Sequence, residues 1–334
     1  VTELLRISVS VVPVFVFLAG LVYLDSFKLV RLSSVIRIIL MGCAAALVSF
    51  LFCTRLQGCF ELGVSPYARY VAPPLEEALK ASPILYLIAR KKIGFMVDAA
   101  ISGFAVGAGF ALVENVYYLS ELNDPNLSIW IIRGFGTAVM HGGTTAVFAV
   151  LSKSLSDRHE PAGPWVFLPG FLVAVAVHSF FNHFILPPVV HTVTQLVALP
   201  MLVAVTFAHS ERALRDWLEV GLDSDVRLLD CITTGTVSET RIGKYLHRLR
   251  SRFSGEVVAD MLCFLRIHLE LAVRAKGLLM MREAGFRVPG DPEVREKLAE
   301  LRFLEKSIGR TGRLALSPVL HTSSRRLWQI YLLR

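Results

Sequence analysis

Charge is scarce in this chain. Asp, Glu, Lys and Arg make up 19% of its 334 residues, against about 25% in ordinary soluble domains. Cysteine is scarcer still. Cys43, Cys53, Cys59, Cys231 and Cys263 form no CxxC pair and no Cys/His cluster with zinc spacing. That pattern excludes a disulfide-dense scaffold and a structural zinc module. Several hydrolytic signatures are missing as well: HExxH, GxGD and a Gly-x-Ser-x-Gly nucleophile turn. What fills the chain instead is apolar: 54% hydrophobic residues and a mean hydropathy of +0.56. Disorder, collagen and coiled coil do not survive that composition.

The charge that exists is unevenly placed. Residues 1–208 hold 13 basic and 11 acidic residues, while 209–334 hold 22 and 16. The chain therefore reads as an apolar membrane domain over 1–208 and a basic, cytoplasmic helical domain over 209–334. A basic segment after a membrane domain suits the anionic inner leaflet. Nucleic acid is not expected as a partner, because acids are interspersed and no recognition motif is present.

A membrane span needs roughly 20 mostly apolar residues. About seven such stretches occur, near 7–24, 33–54, 66–89, 96–119, 128–150, 165–186 and 188–208. The expected fold is all-α and polytopic. Lys28, Arg31, Arg90, Lys91, Lys92, Lys153 and Arg158 fall in one set of loops, and the alternate loops are nearly free of Lys and Arg. The positive-inside rule then places the N-terminus outside and the C-terminal domain in the cytoplasm. The first stretch reads as an anchor, lacking a basic leader, and Val1 suggests an alternative start codon and a prokaryotic source. Cys53 and Cys59 flank an outer loop and read as small membrane-face residues, with pairing left open.

Ionisable groups inside a span are costly and need a partner, a wet cavity or a function. Here they form a set. Pro73-Pro74-Leu75-Glu76-Glu77-Ala78-Leu79-Lys80 carries two carboxylates and a lysine, with Glu76 and Lys80 at i,i+4 on one face. Adjacent carboxylates in a low-dielectric site cannot both ionise cheaply, which suits a general base beside a paired helper. Glu114 follows in the next span, beside Asn115, whose amide is expected to donate to it. His141 lies in the span after that. His178 and Asn182, also i,i+4, can supply proton transfer and oxyanion stabilisation. Counted from the outer ends of their spans, Glu76, Glu114, His141 and His178 lie about 15, 8, 20 and 12 Å deep. That shared layer is the candidate site. A metal on Glu76, Glu114, His141 and His178 is the lesser alternative, since His and carboxylate suit zinc.

These motifs, Glu-Glu-x-x-Lys at 76–80, Phe-x-x-x-Glu-Asn at 110–115, His141 and His-x-x-x-Asn at 178–182, resemble the PrsW membrane proteases. Those belong with the glutamate-dependent intramembrane proteases that include the CAAX-prenyl endopeptidases and bacteriocin-immunity-type proteins. The resemblance covers roughly 60–190. It implies a polytopic protease without a cofactor, in which a Glu of the first pair activates water while His178 and Asn182 stabilise the oxyanion. It also places Glu114 and His141 among the catalytic residues, Glu114 positioning water or orienting His141, with Lys80 and Asn115 expected in support. A single-pass membrane protein such as an anti-sigma factor is the implied substrate, cut near the extracytoplasmic side. Position 145 is Thr, which leaves no acid four residues after His141. The competing class is a non-catalytic scaffold or immunity-type protein that uses the same polar layer for binding.

In the C-terminal domain, helices are expected near 254–284, ending at Gly285, and from an Asp291 N-cap through Ile308 to Gly309. Ser317-Pro318 is expected to open another helix. Phe264, Leu265, His268 and Leu269 form the expected buried side.

Overall fold

The computed structural model describes residues 3–25, 30–60, 64–122, 126–158, 163–183, 185–286 and 292–320. The side chains of Cys53 and Cys59 lie outside the described residues, as do Lys28 and Asp291. The pairing of the two cysteines and the Asp291 N-cap therefore fall outside as well. Every regular element among the described residues is helical. Two compact units are present, Val1–Ser210 and Glu211–Arg334.

The first unit begins with α1 (Glu3–Tyr23), α2 (Leu32–Phe60) and the short α3 (Val64–Pro66). A π-helical turn over Tyr67–Val71 leads into α4 (Ala72–Ala89), followed by α5 (Met96–Glu121). The short α6 (Leu127–Ile131) passes through a second π-helical turn, Ile132–Thr137, into α7 (Ala138–Arg158). A 3-10 turn over Pro164–Phe167 starts α8 (Leu168–Asn182), and α9 covers Pro188–Thr233. Six stretches among the described residues are long and apolar enough to cross a membrane: α1, Leu32–Phe52 of α2, α5, Leu127–Arg158, Pro164–Asn182 and Pro188–Ser210. The chain is thus multi-pass. The stretch expected at 66–89 is not among the six. Its main helix, α4, carries three charged residues, Glu76, Glu77 and Lys80, which sets it apart from the apolar six.

Helix α5 is the central element, buried without interruption from Val97 to Ala111. Its start is fixed by Asp98, whose Oδ2 accepts from the backbone N–H of Gly94 and Phe95 at 3.1 and 3.2 Å. Its middle is glycine-rich because α7 approaches at backbone contact. A Cβ at Gly103 would lie 2.5 Å from the Thr145 carbonyl oxygen, and one at Gly107 would lie 2.2 Å from that of His141. Small residues at such crossings are how helices pack tightly inside a membrane. Leucine, isoleucine, alanine and phenylalanine of α1, α2, α4, α5, α7 and α8 close around this crossing into one core.

The second unit contains α10 (Arg241–Leu249), α11 (Gly255–Glu283) and α12 (Pro292–Leu320). Ser254 caps α11, accepting from Val257 N at 3.4 Å. The helix stops where Gly285 takes φ +86° and Phe286 N bonds back to Met281 O at 2.9 Å. Phe264, Leu265, His268 and Leu269 are buried, as their spacing predicts. The new helix expected at Ser317-Pro318 does not occur. The break is at Gly309, with φ 64° and ψ −174°, and Pro318 lies inside the helical segment that follows it.

Candidate active site

The two prolines of α4 explain the local architecture. In a π-helical turn each N–H bonds the carbonyl five residues back, and Ala72 N does so to Tyr67 O. Pro73 and Pro74 have no N–H, so the same ladder leaves the Ala68 and Arg69 carbonyls without donors. Helix α8 supplies them. Asn182 Nδ2 donates to Ala68 O at 2.9 Å, and Ser179 Oγ donates to Arg69 O at 2.7 Å. The α8 turn holding His178 is thereby latched to the turn that precedes Glu76 and Glu77.

Beyond the latch, α4, α5, α7 and α8 converge. Glu77 Oε1 accepts from Lys80 Nζ at 2.5 Å, from Thr144 Oγ1 at 3.2 Å and from His178 Nδ1 at 2.8 Å. The expected Glu76–Lys80 pair is therefore corrected: Lys80 pairs with Glu77 at i,i+3. Both spacings share a helix face, but only Glu77 points inward, with 2% of its side chain exposed against 18% for Glu76. Glu76 Oε2 faces the other nitrogen of His178, Nε2, across 3.9 Å. That gap is wider than a hydrogen bond and leaves both atoms free to share a water at its edge.

A second carboxylate–imidazole pair lies alongside. Lys80 Nζ also reaches His141 Nδ1 at 2.9 Å. A lysine ammonium only donates, so Nδ1 accepts and Nε2 carries the proton. That Nε2–H donates to Glu114 Oε2 at 2.6 Å. Arg133, from the second π-helical turn, donates to Glu114 Oε1 at 3.2 Å. The two imidazoles meet edge to face at 4.9 Å, and Phe110 lies 5.0 Å beneath the Lys80 ammonium.

Of the residues singled out from sequence, Glu76, Glu77, Lys80, Glu114, His141 and His178 come together. Asn182 does not join their hydrogen bonds, because it holds Ala68. Asn115 does not reach Glu114. Its Nδ2 donates to Ser10 O of α1 at 2.7 Å, since consecutive helix residues point about 100° apart. Two partners went unpredicted. Thr144 lies in the His-Gly-Gly-Thr-Thr run, beside the Thr145 that was considered; Thr145 Oγ1 donates only to the His141 carbonyl, at 2.9 Å. Arg133 carried a readable signal, a cation within an apolar span.

The donor set also fits a metal ion. Ligand atoms of Glu76, His141 and His178 lie within 4.8 Å of one another. Each histidine is oriented through its other nitrogen by a carboxylate, Glu77 or Glu114, which is the arrangement behind zinc-ligating imidazoles. Two histidines and a glutamate match a catalytic zinc set. The Lys80 ammonium occupies the accepting nitrogen of His141, so metal binding there requires Lys80 to withdraw.

Residues 31–208 match a family described as PrsW family intramembrane metalloprotease. No curated protein and no solved structure gives a significant match. The family description names a metalloprotease, whereas the sequence reading expected no cofactor.

Proposed function

The chain belongs to the PrsW family and is a membrane protease, and on that premise we propose that Glu76 is the general base of an intramembrane endopeptidase. The observation that carries this reading is the 3.9 Å gap between Glu76 Oε2 and His178 Nε2. A water held there has a carboxylate to take its proton and an imidazole to orient it. Glu77 does not face that gap. Its Oε1 accepts three hydrogen bonds and holds His178 in place through Nδ1, as a buried carboxylate orients a catalytic histidine elsewhere. Lys80 neutralises Glu77 and accounts for a buried carboxylate between three donors. Glu114 and Arg133 orient His141, which closes the site beside Phe110. As water attacks the peptide carbonyl, the second amide hydrogen of Asn182 lies on α8 to receive the oxyanion, while His178, whose Nδ1 proton is given to Glu77, has an accepting Nε2 for the water. Asn182 has two such hydrogens, and Ala68 uses one.

Where a metal is bound, Glu76, His141 and His178 would hold it, and it would supply Lewis acidity and an acidified water. The proposed substrate is a single-pass membrane protein, with an anti-sigma factor as the candidate, cut near the extracytoplasmic side. With α4 counted as a seventh crossing beside the six apolar stretches, the loop charges argue for an N-terminus outside and residues 209–334 in the cytoplasm.

The test is coexpression with a panel of tagged single-pass reporters, using wild type and Glu76→Gln. An extracytoplasmic cut that vanishes in the well-expressed variant is expected. Cleavage persisting in Glu76→Gln removes the assigned base. The purified wild type is then treated with 1,10-phenanthroline: retained cleavage supports water activation by Glu76 alone, and loss restored by zinc establishes the metal reading. A scaffold role stands if no reporter is cut by wild type.

A further inference from the structure

The first unit contains a second feature that the reaction does not use: a cavity of ≈ 820 Å³ bounded by α1, α5, α7, α8 and the membrane part of α9. It shares a wall with the site. Thr144, which donates to Glu77, lines it, and so does Met140, the neighbour of His141. Along α9 its lining runs from His191 to Thr206, about 22 Å at helical rise. The walls are mostly hydrocarbon, contributed by residues such as Val177 and Leu199.

Apart from threonines whose hydroxyls are already hydrogen-bonded, two side chains break that pattern. His191 and Gln195 stand one turn apart on α9 and line the cavity, with relative exposures of 4% and 8%. His191 Nδ1 and Gln195 Oε1 are buried without a hydrogen-bond partner. Buried polar groups of this kind are normally satisfied, and in a membrane no bulk water is at hand to satisfy them. The rings of Phe180 and Phe181 lie 5.1 and 4.8 Å from that of His191.

We propose that this cleft holds the stretch of the substrate's membrane segment next to the cut bond, and that His191 and Gln195 hydrogen-bond its opened backbone. The proposal rests on the protease reading above. A peptide bond inside a helix is shielded by its own hydrogen bonds, so cleavage within a membrane requires local unwinding. Unwinding frees N–H and C=O groups that hydrocarbon cannot satisfy. An imidazole and a carboxamide one turn apart offer both a donor and an acceptor to such groups. A lipid acyl chain would fill the apolar walls but has nothing to offer an imidazole or a carboxamide. Size argues for a stretch and not a whole span, because a helix about 10 Å wide crossing a 30 Å core occupies roughly 2,400 Å³.

The probe is a 22-residue Leu/Ala peptide with a central Gly-Ser pair, biotinylated at one end and fluorescein-labelled at the other, added to the purified full-length Glu76→Gln protein. Leu199→p-benzoylphenylalanine is expected to photocrosslink the peptide, and Val193→p-benzoylphenylalanine, on the exposed side of α9, is not. Combined His191→Leu and Gln195→Leu should weaken peptide binding at least tenfold by fluorescence anisotropy, with Gln195→Asn restoring part of it in the presence of His191. Crosslinking only to phospholipid from position 199, equal crosslinking from 193 and 199, no crosslink from either, or an unchanged Kd in the double variant each overturns the proposal. Binding is read without cleavage, so a wild type that binds the peptide yet cuts no reporter counts against the protease reading and not against the cleft.

Discussion

Glu76 and Glu77 are neighbours with the same chemistry, and their surroundings divide the work between them. Glu77 is enclosed by Lys80, Thr144 and His178, whereas Glu76 has 18% of its side chain exposed and faces a gap. Replacing either by Gln is expected to lower cleavage by about 10²–10⁴. Stability separates the two. Glu77→Gln leaves the buried Lys80 without its counter-charge, at a cost of about 3–5 kcal/mol, and should lower the melting temperature of the detergent-purified protein. Glu76→Gln should leave it nearly unchanged. Asn182 and Ser179 are tested in the same way. Removing either latch to the π-helical turn leaves a part-buried carbonyl unpaired, at a cost of about 1 kcal/mol. Asn182→Ala should therefore reduce melting temperature as well as activity. A loss of activity with unchanged melting would make Asn182 a donor to the reaction alone.

At the scale of the element, the site depends on how closely α5 and α7 approach. Gly107 packs against the backbone of His141 itself, and its α-hydrogen leaves no room for a methyl group. Gly107→Ala should push the helices apart, destabilising by about 1–3 kcal/mol and shifting His141 off Glu114. A drop in activity larger than the drop in folded protein is the expected readout. Gly277 of α11 is the control: nothing lies within 4 Å of a Cβ there, so Gly277→Ala should stabilise by about 0.5–1 kcal/mol. The same helices show how far pattern reaches. The stop at Gly285 was legible because a glycine follows a long apolar-periodic run. The break expected at Gly309 is present as well, whereas the start assigned to Ser317-Pro318 was not correct, because the helix resumes directly after Gly309 and Pro318 lies inside it.

For the whole molecule, orientation is the property most open to a direct test. The proposed topology places Cys263, free and exposed on α11, in the cytoplasm. A variant retaining only that cysteine should resist a membrane-impermeant maleimide in intact cells and react after permeabilisation. Labelling of intact cells would invert the topology and move the cut to the other side of the membrane.

The sequence by itself determined the all-helical membrane class, the change of character near Ala208 and the polar set to examine. Spans and intramembrane charges follow from one-dimensional hydropathy, and a charge in hydrocarbon is conspicuous wherever it points. Which partner each charge takes was left to the tertiary structure. Glu76 and Glu77 are equally placed to meet Lys80 by helical spacing, and the choice between them was made by His178 and Thr144 arriving from α8 and α7. Spacing marks Asn182 as a catalytic amide, and only the structure adds that one of its hydrogens is held by Ala68, because Pro73 and Pro74 lack the N–H groups and leave two carbonyls for α8 to satisfy. The cleft beside the site is visible in no segment, because its walls come from five helices distant in the chain. Spacing along a helix constrains only neighbours within a turn or two, and every remaining contact is decided by packing.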